Sequence, residues 1–594
     1  MTAVLVGRIV VFTMEEFEGI SASPGIAIGP AFYYVDDTPT IPRYSIESHQ
    51  IDSEMERYFD AISKAKDEIE SLKRQSHDEI GEEHVRFLDT HVLMLQDPEF
   101  TQNMEEKLNG HKRNVEWVFY RQITDMMGKL AESSDDYLRE RTVDIEDVSR
   151  RVLNHLVNRE RVSLADLDRE SILITHDLLP SDAIAMDKRM VKGIAMDAGG
   201  KTSHTAILAR AFEIPAVLGL SNVSEAARAG AEIIGDGNRG KVIVEPDAET
   251  RERYQAMRDE WHRHEVQMLK LNDLPAETRD GKLIALKANI EIPEEVDSVS
   301  GHGADGVGLF RSEFLFLQPG KLPSEDEQVE AYSHVLRAMG SKPVTIRTLD
   351  VGGDKVVPEF KDFSERNPIL GWRAIRFCLS HTDVFKTQLR ALLRSSVEGT
   401  LQIMFPMISG IEELNAACEV LEEVKDELRR AGIAFDEDVP VGIMIEVPSA
   451  AMTADLLARK VSFFSIGTND LIQYTIAVDR GNERIAYLYE PFHPGVLRLI
   501  KLIIESGHDH GIPVGMCGEM AGDPTAAVIL LGLGLDEFSM GSVGIPEVKQ
   551  IVRAVSMGEA EDIVGDVLEM RSYVEIENYM RKLMEDRFSM YLFA

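Results

Sequence analysis

Between residues 283 and 540, apolar runs of strand length recur eight times, and stretches with helical periodicity separate them. The runs are Leu283–Ile290, Gly306–Phe310, Val344–Arg347, Leu401–Phe405, Val441–Ile445, Phe463–Ile466, Pro513–Met516 and Glu537–Met540. Near-continuous apolar strands alternating with helices are what a parallel sheet covered on both faces requires. Eight such units in about 300 residues predict a closed (β/α)8 barrel, with an open doubly wound sheet as the alternative. Polar residues decide between them. Arg311, Arg347, Asp350, Glu446, Asn469, Asp470 and Cys517 all fall at the C-terminal ends of these runs, where a barrel carries its active-site rim.

Upstream the pattern changes. Ile51, Met55, Tyr58, Ile62, Ala65, Ile69 and Leu72 recur at spacings of three and four, and further helices are predicted near Glu82–Leu95, Glu99–Leu108, Glu116–Leu130 and Val143–Leu156. Strand signals flank this helical block, in Gly19–Tyr34 before it and in Ile172–Ile174, Gly193–Met196, Ala216–Leu218 and Lys241–Val244 after it. The chain therefore reads as multidomain α/β. An extension at 1–14 precedes a small α/β domain, 15–40 and 160–246, into which a helical domain, 41–159, is inserted. A linker helix, 247–272, leads to the barrel, 273–594.

The loop Asp197-Ala198-Gly199-Gly200-Lys201-Thr202-Ser203-His204 enters an apolar helical run. A double glycine frees the backbone, and Thr202 and Ser203 suit an N-cap. His204 then falls in the first turn of a helix, where unpaired N–H groups and the positive dipole end favour an anion. A histidine there is suited to carry a phosphoryl group, and the small α/β domain becomes a phosphohistidine domain.

On the barrel, arginine is the residue for bidentate contact with phosphate and carboxylate. Arg311 and Arg347 at strand ends, with Arg373 and Arg480 in neighbouring loops, suit a small molecule bearing both groups. An isolated arginine is most often a surface ion-pair residue, so the reading rests on several following different strands. Glu446 and Asp470 are hard oxygen ligands fit for Mg²⁺ completed by substrate oxygens. Cys517, in Gly515-Met516-Cys517-Gly518-Glu519, is the cysteine in a glycine-rich loop and can move a proton. Cys378 and Cys418 lie in helical contexts and read as core residues.

Composition excludes several classes. With 102 acidic against 64 basic residues, the net charge of −38 repels nucleic acid and anionic membranes. Three cysteines without metal-ligand spacing point to a reducing, cytoplasmic setting. No apolar run reaches membrane-span length. Met1–Thr13 is apolar around Arg8 but lacks the basic start and cleavage site of a signal peptide.

Several motifs carry a family resemblance. They are Ser23-Pro24-Gly25-Ile26-Ala27, the His204 loop, Gly308-Leu309-Phe310-Arg311-Ser312-Glu313-Phe314, Arg347-Thr348-Leu349-Asp350-Val351-Gly352-Gly353-Asp354-Lys355, Asn367-Pro368-Ile369-Leu370-Gly371-Trp372-Arg373, Gly442-Ile443-Met444-Ile445-Glu446-Val447-Pro448-Ser449, Gly467-Thr468-Asn469-Asp470-Leu471 and the Cys517 loop. Through them, from Gly19 to the C-terminus, the chain resembles enzyme I of the bacterial phosphotransferase system, the phosphoenolpyruvate–protein phosphotransferase family. The resemblance implies that phosphoenolpyruvate binds the barrel with Mg²⁺, phosphorylates His204 on Nε2 and leaves as pyruvate. The group then passes to the phosphocarrier protein HPr, docked on the helical insertion. By the same resemblance Glu446 and Asp470 hold Mg²⁺. Arg311, Arg347, Arg373, Asn469, Asp470 and Arg480 hold the substrate, with Lys355 close by. Cys517 protonates the enolate carbon, and barrels pair into a homodimer.

Two alternatives are weaker. Pyruvate phosphate dikinase and phosphoenolpyruvate synthase share these modules but carry a large nucleotide-binding domain, for which the segment before the linker has no room. A non-catalytic phosphoenolpyruvate-binding regulator would not need the proton donor. One departure from the family stands out. A threonine that can orient the active imidazole commonly follows the Pro-Ser pair, whereas Pro180-Ser181-Asp182 is followed here by Ala183.

Overall fold

The computed structural model describes residues 14–588 except 35–40, 81–87, 89–90, 93, 96–103, 132–135, 158–163, 165–166, 168, 180–181, 183–185, 188, 201–203, 213, 229, 317–321, 353–366, 481 and 483. The chain divides into two compact units, Met1–Arg263 and His264–Ala594. Among the described residues no helix is long and apolar enough to cross a membrane.

In the first unit the strands are β1 (Glu15–Glu18), β2 (Ile20–Ser23), β3 (Ile26–Tyr33), β4 (Ser171–Thr175), β5 (Val191–Met196), β6 (Ala216–Leu218), β7 (Glu232–Asp236) and β8 (Lys241–Val244). They form one sheet in the order β1-β8-β7-β3-β4-β5-β6-β2. Its centre, β3 to β6, is parallel, and its flanks are antiparallel. Strand alternation explains the packing. Ile172 and Ile174 enter one buried cluster with Ala195 and Val217, while Leu173 enters another with Ile194 and Met196.

The helical insertion between β3 and β4 contains α1 (Ile51–Ile80), α2 (Met104–His111), α3 (Val115–Ala131) and α4 (Asp136–Leu156). The predicted stripe is its core, because Ile51, Tyr58, Ala65 and Ile69 are buried with Val118, Phe119 and Val152. Arg57 of α1 ties the helices together by bonding Glu116 of α3 and the Leu156 carbonyl of α4. Most of the predicted helix over Glu82–Leu95 lies outside the described residues. The next one is helical from Met104, since 99–103 also lie outside them. Residues 1–13 of the N-terminal extension are likewise outside.

After β5 comes α5 (His204–Ala211), and after β6 comes α6 (Val223–Ala226). Over the predicted linker runs α7 (Ala248–Leu269), and its Tyr254 packs with Ile26, Ile234 and Ile243.

The second unit is a closed barrel of β9 (Ala285–Ile290), β10 (Val307–Arg311), β11 (Val344–Arg347), β12 (Leu401–Phe405), β13 (Val441–Ile445), β14 (Phe463–Ile466), β15 (Val514–Met516) and β16 (Glu537–Met540). Every neighbouring pair is parallel, and β16 closes on β9. The first strand starts later than predicted. Leu283 bridges back to Glu277 and is 64% exposed, so it belongs to a small hairpin rather than to the barrel wall. Inside the barrel Leu309, Met404, Met444, Phe463 and Cys517 form their own cluster. The Cβ of any residue other than glycine at Gly308 would lie 2.3 Å from Ser539 Oγ, so β10 needs glycine where it faces β16 across β9.

Candidate functional site

Parallel strands in a closed barrel bring all C-terminal ends to one rim. Arg311 ends β10, Arg347 ends β11, Glu446 follows β13 and Cys517 follows β15. Asn469 and Asp470 lie in the first turn of α8 (Thr468–Ile476), which follows β14.

Asp350 organises the cationic part of this rim. Its Oδ2 lies 3.1 Å from Arg347 Nη1 and 3.0 Å from Arg373 Nη2. Arg373 also bonds Oδ1 of the same carboxylate at 3.1 Å, reaches Asp470 Oδ2 at 3.1 Å and donates to Tyr474 Oη at 3.4 Å. Behind Arg347 stands the fully buried Glu313, which accepts from its Nη2. Burial works against the charge of both guanidinium groups. Glu313 and Asp350 at Arg347, and Asp350 and Asp470 at Arg373, outweigh it and raise both pKa values. These arginines stay cationic while carrying N–H groups on a water-poor rim, where an anion is held most strongly.

Glu446 is buried and accepts a hydrogen bond from the Met407 N–H at 2.6 Å. Met407 has a φ of 55°, a left-handed conformation unusual for a side chain of its size, and it turns its N–H onto the carboxylate. Burial and the charges of Asp470 and Asp350 push Glu446 up to about 8. A buried carboxylate destabilised by carboxylate neighbours is the donor chemistry that a divalent cation relieves. Among the described residues no group of three or more His, Cys, Asp or Glu side chains is arranged to hold a metal. Glu446 and Asp470, close enough for the charge of one to act on the other, offer a pair of oxygen donors, which suits an ion that keeps water and substrate oxygens as its other ligands.

Asn469 and Glu519 lock the loops after β14 and β15 together. Asn469 Nδ2 donates to Glu519 Oε1 at 3.1 Å, and the Glu519 N–H donates to Asn469 Oδ1 at 2.9 Å. Arg480 joins them 3.6 Å from Glu519 and is 45% exposed, so it sits at the outer edge of the site. Arg311 pairs with Glu291 at the end of β9. Between these groups the Cys517 thiol is buried, and burial pushes its pKa up, so it holds its proton at neutral pH. Cys378 is buried in the core and Cys418 is half-buried in a helix, as their contexts indicated.

On the first unit α5 begins at His204. The loop before it follows β5 and is tied to the loop after β4, since the Ala198 N–H donates to the His176 carbonyl at 2.9 Å. Gly199 has a φ of 96°, which requires glycine there. Asp197 anchors this loop through bonds from the Ser224 N–H and hydroxyl. Thr202, Ser203, Ala183 and Lys355 lie outside the described residues.

The structure thus joins Arg347, Arg373, Glu446, Asp470, Asn469 and Cys517 in one rim, with Arg311 and Arg480 at its edges. Sequence reading missed Glu313, Met407 and Tyr474. Tyr474 had a signal, for it stands four residues after Asp470 on the same helix face. Met407 had none, because a backbone N–H is the same in every residue but proline.

The chain is similar to known proteins along most of its length. Residues 18–141, 167–240 and 265–557 match, in turn, the N-terminal, mobile and PEP-binding domains of PEP-utilising enzymes. A phosphoenolpyruvate-protein phosphotransferase of Bacillus subtilis is 43% identical over 96% of this chain and 100% of its own length. One from Priestia megaterium is 43% identical over 96% of this chain and 99% of its own. A solution structure of an enzyme I protein is 38% identical and has a TM-score of 0.38, over 41% of this chain and 99% of that one.

Proposed function

Because the chain belongs to the phosphoenolpyruvate–protein phosphotransferase family, we propose that His204 carries the phosphoryl group and that the barrel rim binds phosphoenolpyruvate. The enzyme transfers the phosphoryl group of phosphoenolpyruvate to HPr. One observation supports the barrel assignment above others. Two buried arginines share Asp350, and one of them, Arg373, also reaches Asp470, beside a buried carboxyl and a buried thiol.

In this reading Arg311, Arg347, Arg373, Asn469, Asp470 and Arg480, with Lys355, bind the phosphate and carboxylate of the substrate. Glu446 and Asp470 would hold Mg²⁺, whose contribution when bound is neutralisation of phosphate charge. His204 Nε2 attacks phosphorus as a neutral imidazole. The bond from phosphorus to the enol oxygen breaks. Cys517 Sγ gives its proton to C3 of the enolate, and pyruvate leaves. The P–N bond at His204 then breaks as the HPr histidine takes the phosphoryl group. HPr docks on the helical insertion, 41–159, where Phe59 and Tyr120 are exposed. Pairing of barrels into a homodimer is supported by exposed Tyr487, Met452 and Leu456 on the barrel unit. The enzyme works in the cytoplasm, in line with the free thiols of its three cysteines.

Labelling with phosphoenolpyruvate and Mg²⁺, with and without HPr, tests donor, nucleophile and acceptor together. The expected result is one pyruvate per acid-labile phosphate, located on His204 by mass spectrometry and discharged by HPr. Phosphate on another residue overturns the assignment.

A further inference from the structure

Cys517 has a partner inside the barrel that the reaction scheme above leaves idle. Ser465 lies on β14, paired with Met444 of β13 and Gly515 of β15, and is 6% exposed. Its Oγ donates to Cys517 Sγ at 3.2 Å. The sulfur's own proton has a poor acceptor nearby, the Ile466 carbonyl at 3.8 Å. Around the thiol stand Leu309, Met404, Met444 and Phe463, which offer a thiolate no solvation, while the cations Arg347 and Arg311 favour it and the carboxylate Glu446 opposes it. The Cys517 main chain is held as well, since Asn289 Nδ2 donates to its carbonyl at 3.0 Å. A hydroxyl placed among apolar side chains is costly unless it is bonded, and here its partner is the sulfur.

We propose that Ser465 is a positioning residue for proton transfer from Cys517, holding the sulfur through one lone pair so that the S–H is directed at the substrate, and then stabilising the thiolate left behind. The proposal rests on the reading of Cys517 as proton donor. In the step, the S–H bond breaks and the π pair of the enolate forms the new C3–H bond. The sulfur keeps the S–H electrons, Ser465 keeps its own proton, and the thiol is restored by a proton from water after pyruvate leaves. A hydrogen bond to a charged acceptor is stronger than one to a neutral acceptor, so the Ser465 contact strengthens as the thiolate forms.

The test uses the full chain in single-turnover pyruvate formation from phosphoenolpyruvate and Mg²⁺. Alongside it, the pH dependence of Cys517 alkylation by iodoacetamide is followed on the Cys517 peptide. Ser465→Ala is expected to slow pyruvate formation by roughly tenfold or more. It should also move the alkylation curve to higher pH, while Ser465→Thr recovers most of both. In a Cys517→Ala background Ser465→Ala is expected to add nothing, because the two residues act as one unit. Equal slowing in that background, or an unmoved alkylation curve, overturns the proposal. If Cys517→Ala itself leaves pyruvate formation unchanged, the donor reading falls and takes the proposal with it. If Cys517→Ala slows the step and Ser465→Ala does not, only the role of Ser465 is lost. Should Ser465→Ala not fold, Ser465→Gly removes the same donor and is judged by the same outcomes.

Discussion

Asp350 shows how much of this rim depends on single atoms. One carboxylate oxygen bridges Arg347 and Arg373, and Arg373 extends the chain of charge to Asp470. A lysine at 373 keeps the charge but loses the planar fork that spans two carboxylates. Arg373→Lys is therefore expected to lower kcat/KM for phosphoenolpyruvate by roughly 100-fold, with a thermal melt confirming that the fold is retained. A wild-type kcat/KM in this variant would remove Arg373 from the substrate site. The sequence made Arg347 and Asp470 visible as candidates because they follow strands, and Arg373 because it lies in a neighbouring loop. It could not show that they meet over Asp350, because that contact depends on which strand ends face each other once the barrel has closed. The same holds for Ser465, which read as one more small residue in an apolar run.

At the scale of elements, five strands of the barrel run over the residues that their apolar runs delimit, Val344–Arg347 and Phe463–Ile466 among them. Such runs are legible because both strand faces are buried, and burial ends where the chain reaches the rim. Leu283 misled because hydrophobicity alone does not separate a barrel strand from the hairpin in front of it. The loops after β14 and β15 are more tightly coupled than any periodicity reveals. A Cβ at Gly518 would stand 1.8 Å from Thr468 Oγ1 and 2.7 Å from its backbone nitrogen. Gly518→Ala is expected to cost about 1–3 kcal/mol of barrel stability through overpacking and to impair pyruvate formation by displacing Cys517 and Asp470 together. At Gly541, where an added Cβ meets nothing within 4 Å, Gly541→Ala is expected to change stability by no more than about 0.5 kcal/mol. Comparing the two melting curves in denaturant decides whether the close approach at Gly518 matters.

Across the whole molecule, the barrel draws its large core from residues between Ala276 and Phe588, all within the second unit. A fragment of residues 264–594 is accordingly expected to unfold cooperatively and to bind phosphoenolpyruvate with Mg²⁺, which calorimetry can follow. It should form no pyruvate, since His204 lies in the other unit. Pyruvate release by the fragment would mean that another group accepts the phosphoryl. The closure of β16 on β9 also bears on the birth of the protein. Asn289, at the end of the first barrel strand, holds the carbonyls of Cys517 and Ser539, partners 228 and 250 residues further along the chain. On a translating ribosome, the proton-donor loop therefore has no fixed seat until nearly the entire barrel has emerged. A nascent chain stalled before residue 540 would carry His204 fully synthesised yet have nothing able to charge it.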